Sequence, residues 1–282
     1  MVPIDEMPPD LSAGDPSEPT VGLATQQLFG FDFIDAADLS STVEALLGPQ
    51  PRDGLLPLVS TPNVDHLIQM RRPEQHDLAA MVGRSRYVLP DGQPIVWTSR
   101  LAGRPLAARL PGSTLLTQLW PRLVHGARRV VVVAASDEVA ARLREEQPEL
   151  SVSVAPMFDV TDSAVLGEMA ADLLERIERV DAEFVIVGLG APKAQRLIQR
   201  CLDAIDTDES SAPVFMALGD SFAMHFGLVP RAPAWMQRVG LEWFHRFLRE
   251  PRRLFRRYFV DDVRFLPMMI AEVRADRRAA GS

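Results

Sequence analysis

Short apolar runs alternate with amphipathic segments between residues 55 and 218. This alternation restricts the chain to folds in which strands and helices alternate. The runs predict six strands, with the sequences LLPLVS, RYVL, RRVVVVAAS, LSVSVAP, EFVIVGLG and PVFMALG. Segments 136–147 and 162–180 have apolar residues at helical spacing, and Ser136 or Asp137 is placed to cap the first of them. The pattern predicts a Rossmann-like layered α/β domain with a mostly parallel sheet.

Loops that follow the strands of such a sheet are where ligands bind, because the carboxyl ends of parallel strands share one edge. The loops with polar or glycine residues at these positions are 61–63, 90–92, 188–193 and 219–221. Asp91 lies in a Pro-Asp-Gly turn, which is ordinary turn chemistry. Its place directly after a strand also makes it the best-placed general base in the chain.

The loop 188–193, with the sequence GLGAPK, follows a predicted strand and opens a helix. Backbone amides at such a place favour phosphate. The loop lacks the third glycine of a dinucleotide-binding fingerprint, and a glycine pair after a strand is more often a tight turn. A dinucleotide oxidoreductase is therefore disfavoured.

Charge divides the chain into three regions. Residues 1–20 contain five acids, five prolines and no basic residue, which predicts a disordered acidic tail. Residues 21–230 form the predicted α/β core, and 231–282 an Arg-rich helical appendage, with twelve arginines and six acids between 231 and 278. A positive region in a chain of net charge -8 indicates a local anionic partner, either ligand phosphates or membrane headgroups, rather than nucleic acid.

The composition also excludes several kinds of chemistry. Cys201 is the only cysteine, so no internal disulfide forms, and no apolar stretch approaches the roughly 18 residues of a membrane-spanning helix. No secretory leader opens the sequence, which favours a cytoplasmic protein. The five histidines stand singly and no CxxC or HExxH occurs, so we expect no metal site and no cofactor.

The appendage contains a second helical signal. Pro251 fits the first turn of a helix whose arginines, 252, 253, 256 and 257, share one face while apolar residues share the other. Such a helix either packs on the core with a solvated charged face or lies at a membrane surface. Guanidinium groups also neutralise a leaving diphosphate without a metal ion.

In order along the chain, several segments resemble the WecG/TagA/CpsF family, glycosyltransferase family 26, over nearly all of residues 25–260. They are TPN at 61, LPDGQPIVW at 89, RLPGSTLL at 109, VIVGLGAPK at 185, ALGDSF at 217, RAPAWMQRVGLEWFHRFLREP at 231 and RRLFRRY at 252. The resemblance implies an inverting, metal-independent transfer from a nucleotide-diphosphate sugar, usually a UDP-sugar such as UDP-N-acetylmannosamine. The implied acceptor is a sugar on a polyprenyl diphosphate at the inner membrane face, in teichoic acid, enterobacterial common antigen or exopolysaccharide synthesis.

The resemblance also implies roles for particular residues. Asp91 matches the general base. The matching substrate-binding positions are Thr61, Asn63, Arg109, Gly190, Lys193, Gln195, Gly219 and Asp220. Arg246, Arg253 and Arg256 match arginines that bind the leaving diphosphate, on an appendage that acts as an active-site lid and contacts an anionic membrane surface. The resemblance further implies a cytoplasmic protein attached peripherally to the inner face of the cell membrane.

One departure from the family pattern concerns the loop before the predicted helix at 193. The family commonly has Pro-Lys-Gln-Glu, whereas this chain has Pro192-Lys193-Ala194-Gln195. Either Gln195 replaces the usual glutamine from one residue along, or the contact with the nucleotide sugar is lost. The second case would describe a degenerate nucleotide-sugar-binding relative that acts as a partner or regulator. The sequence leaves open whether the chain forms a homo-oligomer.

Overall fold

The computed structural model describes residues 22–51, 53–205, 212–229 and 262–279, together with Pro233, Met236, Phe244 and Leu248. The acidic tail expected at 1–20 lies outside the described residues. So do Arg246, Arg253, Arg256 and the helix predicted from Pro251. No helix among the described residues is long and apolar enough to cross a membrane.

The described residues contain an eight-stranded sheet in the order β1-β2-β4-β3-β8-β7-β5-β6. All its neighbouring strands pair in parallel except β1 and β2. The strands are β1 Thr25–Leu28, β2 Phe31–Ile34, β3 Leu56–Ser60, β4 Ser85–Val88, β5 Val130–Ala134, β6 Ser151–Val154, β7 Phe184–Val187 and β8 Val214–Ala217. The predicted α/β class with a mostly parallel sheet is confirmed, and each of the six predicted strands is present.

Helices cover both faces of this sheet. They are α1 Ser40–Leu47, α2 Val64–Met70, α3 His76–Gly83, α4 Gln93–Leu101, α5 Gly112–His125, α6 Asp137–Glu146, α7 Ser163–Val180, α8 Lys193–Leu202, α9 Ser221–His225 and α10 Phe265–Ala279. Successive residues of a strand point to opposite faces, so Val132 packs with α1, α5 and α6 while Val131 and Val133 pack with α7 and α8. Burial on both faces explains why β5 and β7 are entirely apolar.

The hairpin of β1 and β2 was not predicted. Its turn is made by Phe29 and Gly30, whose φ angles are 56° and 87°. Both central residues of a tight hairpin turn need positive φ, which a phenylalanine rarely adopts, so the sequence lacks the usual turn signal. Phe29 is buried, and its ring lies 5.3 Å from that of Phe265 in α10. Packing against the last helix therefore accounts for this turn.

The C-terminal helix α10 lies against the core of the fold. It packs on α2 and α4, and Arg104, in the loop after α4, bonds to Glu272 with 2.8 Å between Nη2 and Oε1. The described part of the appendage beyond residue 261 is helical, as the sequence predicts. Its boundary with the core at 230 stays a prediction.

Candidate active site

Backbone hydrogen bonds bring three of the strand-end loops together. The amide of Asp91 donates to Pro62 O at 3.1 Å, and the amide of Leu110 donates to Pro90 O at 2.9 Å. The half-buried Asp91 is therefore fixed between the loop that contains Thr61 and the loop that contains Arg109. Parallel pairing of β3 with β4 produces this arrangement, because both strands end at the same edge.

Thr61 lies where the helix α5 begins. Its Oγ1 is 3.5 Å from Ala217 O at the end of β8, which is a weak hydrogen bond. A Cβ atom placed on Gly112, the first residue of α5, would lie 3.2 Å from Thr61 Cγ2 and from Leu218 Cδ2. A larger residue would require the side chains of Thr61 and Leu218 to move by a few tenths of an ångström, so glycine favours this close approach of α5 to Thr61.

Asn63, a predicted substrate-binding residue, also stabilises the start of α2. Its Oδ1 accepts a hydrogen bond of 3.1 Å from the amide of His66 and so caps α2. A Cβ atom on Gly92 would lie 3.8 Å from Asn63 Cα, so Asn63 also adjoins the Asp91 turn. The cap uses the amide oxygen of the side chain and fixes Asn63 at the edge of the sheet.

The two remaining loops end β7 and β8. A Cβ atom on Gly188 would lie 3.1 Å from Val133 O, so this glycine allows close packing of neighbouring strand ends. Gly190 is exposed and has nothing within 4 Å of such an atom, which leaves space above its backbone. Gly219 has a φ of +52°, and the exposed Asp220 follows it directly before α9.

Lys193 contacts an aromatic ring outside the cleft. Its Nζ lies 4.6 Å from the centre of the Phe158 ring, in a cation–π contact with the loop after β6. Lys193 is not part of the cleft that contains Thr61 and Gln195.

That cleft lies between α2, α3 and the start of α8, and its volume is about 30 Å³. Small-molecule sites span roughly 300 to 1,000 Å³, so this cleft admits only a small polar group of a ligand. All the residues that line it are uncharged side chains or histidine. The polar ones are Ser60, Thr61, His66, Gln69, Gln75 and Gln195. A cleft of this kind suits a neutral polar ligand better than a phosphate.

Arg196 on α8 holds one wall of the cleft in place. Its guanidinium donates to Gln75 Oε1 and to Glu74 O, both at 3.1 Å, and forms an ion pair with Asp77. Although burial disfavours the charged form of Asp77, the bond from Arg196 holds the pKa of that carboxyl below its ordinary value. Arg196 uses one of the two acceptor positions of Gln75 Oε1 and fixes the orientation of the amide, so Gln75 can offer its amide nitrogen and the second lone pair of Oε1 to a ligand.

The matching family model spans residues 26–279 and describes the glycosyl transferase WecG/TagA/CpsF family. This chain belongs to that family. The sequence resemblance is thereby confirmed, and the chain is a glycosyltransferase rather than an oxidoreductase.

Three relatives share the name N-acetylglucosaminyldiphosphoundecaprenol N-acetyl-beta-D-mannosaminyltransferase. The protein of Bacillus subtilis (strain 168) is 26% identical over 200 residues, which cover 70% of this chain and 73% of the relative. That of Bacillus spizizenii is 26% identical over 235 residues, covering 82% and 86%. That of Staphylococcus aureus (strain MRSA252) is 26% identical over 181 residues, covering 62% and 66%.

The structure explains why this chain can have alanine at position 194, where the family commonly has glutamine. Ala194 is 1% exposed and packs in the core with Leu197, Ile198 and Cys201, so its position faces away from the cleft. Gln195 lines the cleft, and its Oε1 is buried without a hydrogen-bond partner in the described part of the chain. An amide is therefore present at the cleft, supplied from position 195.

Sequence reasoning missed the polar wall formed by His66, Gln69 and Gln75. His66 and Gln69 are three residues apart on α2 and so share a face, which is a weak signal. Gln69 is oriented by its own helix, where its Nε2 donates to Asp65 Oδ2 at 2.8 Å. Gln75 carries no sequence signal, since its role depends on Arg196, which lies 121 residues away in the chain.

The described residues outside the strand-end loops supply neither a thiol nucleophile nor a group of metal ligands. Burial raises the pKa of the Cys201 thiol to about 12, so that side chain is not a nucleophile at neutral pH. Among the described residues, no three histidine, cysteine or acidic side chains are grouped as metal ligands would be.

Proposed function

We propose that this glycosyltransferase moves a sugar from a nucleotide-diphosphate sugar to a sugar carried on a polyprenyl diphosphate, with inversion and without a metal ion. The proposed donor is UDP-N-acetylmannosamine or a related UDP-hexose. The names of the relatives support an N-acetylmannosaminyl donor group and a diphosphoundecaprenol-linked acceptor. The observation that carries the proposal is the backbone connection that fixes Asp91 between the Thr61 and Arg109 loops.

Asp91 acts as the general base in this proposal. Its carboxylate takes the proton of the acceptor hydroxyl while the hydroxyl oxygen bonds to the anomeric carbon of the donor. The bond from that carbon to the diphosphate breaks at the same time, and its electron pair leaves on the nucleoside diphosphate. A carboxylate suffices because the hydroxyl becomes acidic only as the new bond forms, so proximity matters more than basicity.

The uncharged cleft beside Thr61 binds one polar edge of the transferred sugar. Hydroxyl and acetamido groups are neutral donors and acceptors, which match the amides of Gln75 and Gln195 and the hydroxyl of Thr61. The buried Oε1 of Gln195 gains a hydrogen bond when such a sugar binds. Asn63 adjoins both this cleft and Asp91, and it contacts the same sugar.

The donor diphosphate lies across the adjoining strand ends. Arg109 adjoins Asp91 through the bond between Leu110 and Pro90, so it is placed to neutralise charge that develops on the leaving group. Gly190, Gly219 and Asp220 line the path of the nucleotide in this proposal. Arg246, Arg253 and Arg256 stay predicted partners of the diphosphate. For Lys193 to join them, its side chain must leave the ring of Phe158.

We also propose that the enzyme works at the inner face of the cell membrane, attached peripherally, in teichoic acid or related cell-wall and exopolysaccharide synthesis. The lipid-linked acceptor named for the relatives supports this place of action. The arginines of the appendage supply the proposed contact with anionic lipid, and residues 231–282 close over the site as a lid.

A donor screen tests the function. The full chain is mixed with a short-chain polyprenyl diphosphate N-acetylglucosamine and single UDP-sugars, and released UDP is measured. We expect turnover with UDP-N-acetylmannosamine, a product of inverted anomeric configuration by NMR, and rates unchanged by EDTA. No UDP release with any donor would overturn the transfer, and loss of activity in EDTA with recovery on adding Mg²⁺ would overturn the metal-free route.

A further inference from the structure

The cleft between α2, α3 and the start of α8 has an apolar part as well as a polar one. Besides its polar side chains, it is lined by Pro62, Met70, Leu78, Val82, Ala191 and Pro192. Leu78 and Val82 are four residues apart on α3 and so share one face of that helix. Both side chains are buried, and this face of α3 gives the cleft an apolar surface.

The size of the cleft limits which part of a ligand it holds. Its volume of about 30 Å³ is room for about two water molecules, because one water molecule needs roughly 10 to 15 Å³. A whole hexose ring does not fit into such a volume, whereas one substituent of the ring does. That substituent must combine polar atoms with an apolar surface, since the lining offers both.

Two side-chain amides at the cleft have unused hydrogen-bonding capacity. Gln195 Oε1 is buried without a hydrogen-bond partner in the described part of the chain. Gln75 Oε1 accepts a bond of 3.1 Å from Arg196, which fixes the amide and leaves its Nε2 for a ligand. The cleft therefore offers a buried acceptor and an oriented donor, and an acceptor that stays unpaired in a buried place is unfavourable.

An acetamido group matches each of these features. Its N–H is a donor for Gln195 Oε1, and its carbonyl oxygen is an acceptor for Gln75 Nε2. Its methyl group is apolar, as is the face of α3 that contains Leu78 and Val82. A hydroxyl group supplies a single oxygen for the two amides and leaves the apolar face uncovered. A carboxylate or phosphate brings a charge, and no lysine or arginine is among the described residues that line the cleft.

We infer that the cleft binds the 2-acetamido group of the donor sugar and that Gln75, Leu78 and Val82, here called the α3 wall, determine this specificity. The inference rests on the proposed function, which leaves open the choice between UDP-N-acetylmannosamine and a related UDP-hexose. A sugar with a hydroxyl group at C2 leaves one of the two amides unpaired, so the α3 wall selects against it. The α3 wall adds to the substrate-binding positions that the family resemblance implies, none of which lies on α3.

The position of the cleft relative to Asp91 suits this role. Pro62 lines the cleft, and its carbonyl oxygen accepts the hydrogen bond of 3.1 Å from the Asp91 amide. In the donor sugar, C2 is bonded directly to the anomeric carbon, which the acceptor hydroxyl attacks. Binding the substituent of C2 in the cleft therefore places the anomeric carbon beside the Asp91 turn and fixes the orientation of the ring.

The test compares UDP-N-acetylmannosamine with UDP-mannose, which differ only in the substituent at C2. Isothermal titration measures the affinity of the full chain for each donor, and UDP release in the presence of a short-chain polyprenyl diphosphate N-acetylglucosamine measures transfer. The test variant is Gln75→Glu, which keeps the size of the side chain and an acceptor for Arg196 but replaces the Nε2 donor by an oxygen. The matched control is Gln199→Glu, because Gln199 Oε1 also accepts from Arg196, at 3.2 Å, and Gln199 does not line the cleft.

We expect the wild type to prefer UDP-N-acetylmannosamine by about 100-fold or more in affinity and in kcat/KM, because UDP-mannose leaves a buried polar group unpaired. Gln75→Glu should reduce this preference by about 10-fold, the value of one neutral hydrogen bond, through weaker binding of the N-acetylated donor. The control should keep the preference of the wild type.

A second measurement addresses the apolar part of the cleft. Saturation-transfer NMR on the wild type should show strong transfer to the acetyl methyl protons of bound UDP-N-acetylmannosamine. Leu78→Ala, with its fold verified by circular dichroism, should weaken that signal relative to the signals of the uracil ring. The wild-type spectrum and Gln75→Glu decide the question if Leu78→Ala does not fold.

Several results would overturn the α3 wall as the determinant of donor specificity. Equal affinity of the wild type for the two donors removes it directly, as does an unchanged preference in Gln75→Glu or a methyl group that receives no saturation. An equal loss of preference in Gln199→Glu would assign the effect to Arg196 instead of the amide donor of Gln75. If the wild type transfers neither sugar, the proposed function fails, but the titrations still decide whether the cleft selects an acetamido group.

Discussion

Helices that begin at the carboxyl edge of the sheet differ between its β5–β6 end and the loops around Asp91. At the β5–β6 end, Ser136 caps α6 and Asp162 caps α7, each accepting backbone amide hydrogen bonds of 3.2 to 3.3 Å. Beside Asp91, α4 follows Gly92 and α5 follows Pro111, and neither has a side-chain cap. The chain itself completes the starts of α6 and α7, whereas α4 and α5, like α8 and α9 after the neighbouring strands, begin without a side-chain cap and leave backbone amides for a ligand.

In the proposed function, this difference separates residues that stabilise the fold from residues that act on substrate, although both stand at equivalent points of the same repeated strand-loop-helix unit. Asn63 combines the two tasks, because it caps α2 and adjoins the Asp91 turn. Substitutions at equivalent points of the two regions should therefore have opposite consequences for activity and stability.

The largest expected effect is that of Asp91→Asn. Removing the base should lower kcat by about 10² to 10⁴-fold, the usual contribution of general acid–base catalysis, with little change in KM for the donor. Steady-state kinetics and thermal unfolding measure both quantities. Asp162→Asn is the matched control. Asparagine caps a helix as well as aspartate does, so α7 keeps its cap, and kcat and Tm should stay unaltered. Equal kcat for wild type and Asp91→Asn would remove Asp91 from the base role.

Gly112→Ala should have the next largest effect. The added methyl group lies 3.2 Å from Thr61 and Leu218, so these side chains or the start of α5 must move by a few tenths of an ångström, and displacing Thr61 should lower kcat/KM by roughly 10-fold. Gly167→Ala is the matched control, since nothing lies within 4 Å of its added methyl group in α7. The control should raise stability by about 0.5 to 1 kcal/mol without a change in rate. Full activity of Gly112→Ala would show that the contact between α5 and Thr61 does not position the substrate.

A smaller kinetic effect is expected for Arg196→Met, which releases Gln75 from its fixed orientation. KM for the donor should rise by about 2- to 10-fold, the value of one neutral hydrogen bond, while kcat changes less. Arg176→Met breaks an ion pair of 2.7 Å on α7 and serves as the control, with KM unchanged. A rise in KM for both variants would mean that general destabilisation, not the cleft, is responsible.

The effect of Arg196→Met on stability should depend on pH. Arg196 lowers the pKa of Asp77 in the folded protein, so this ion pair adds stability above the carboxyl's ordinary pKa and loses it as the pH falls through the lowered value. The stability difference between wild type and Arg196→Met should therefore be present near neutral pH and shrink under strongly acidic conditions. Denaturant titrations across that range measure it, and a difference that does not depend on pH would contradict the role given to Asp77.

Ser136→Ala should have the smallest effect on activity. Loss of this cap destabilises the fold by about 1 kcal/mol, which lowers Tm by roughly 2 to 4 °C in a domain of this size. Calorimetry and steady-state kinetics should show that shift with unchanged kcat and KM. A clear loss of rate would mean that the β5–β6 end also takes part in the reaction.

The sequence predicted the parts of the fold that depend on local pattern. The strands between 55 and 218 are apolar runs of the right length, and Ser136, one of the two predicted candidates, caps α6. The meeting of the strand-end loops also followed from sequence, because parallel strands must end at one edge. The roles given to the residues of those loops stay predictions.

Features that depend on distant packing were not predictable. The turn at Phe29 is stabilised by Phe265, from the far end of the chain. The glutamine wall of the cleft requires α3 to lie beside α8, and the placement of Lys193 requires Phe158 from a different loop. No local pattern of residues reveals such contacts.

The contact between Phe29 and Phe265 has a practical consequence for dissecting this protein. The first hairpin packs against α10, which comes more than 200 residues later in the sequence. Truncation after residue 230 would remove Phe265 and expose the buried ring of Phe29. Truncated proteins would then aggregate through this exposed apolar surface, which would lower their activity for a reason unrelated to catalysis. Point substitutions therefore test the contribution of the C-terminal segment more directly than truncation does.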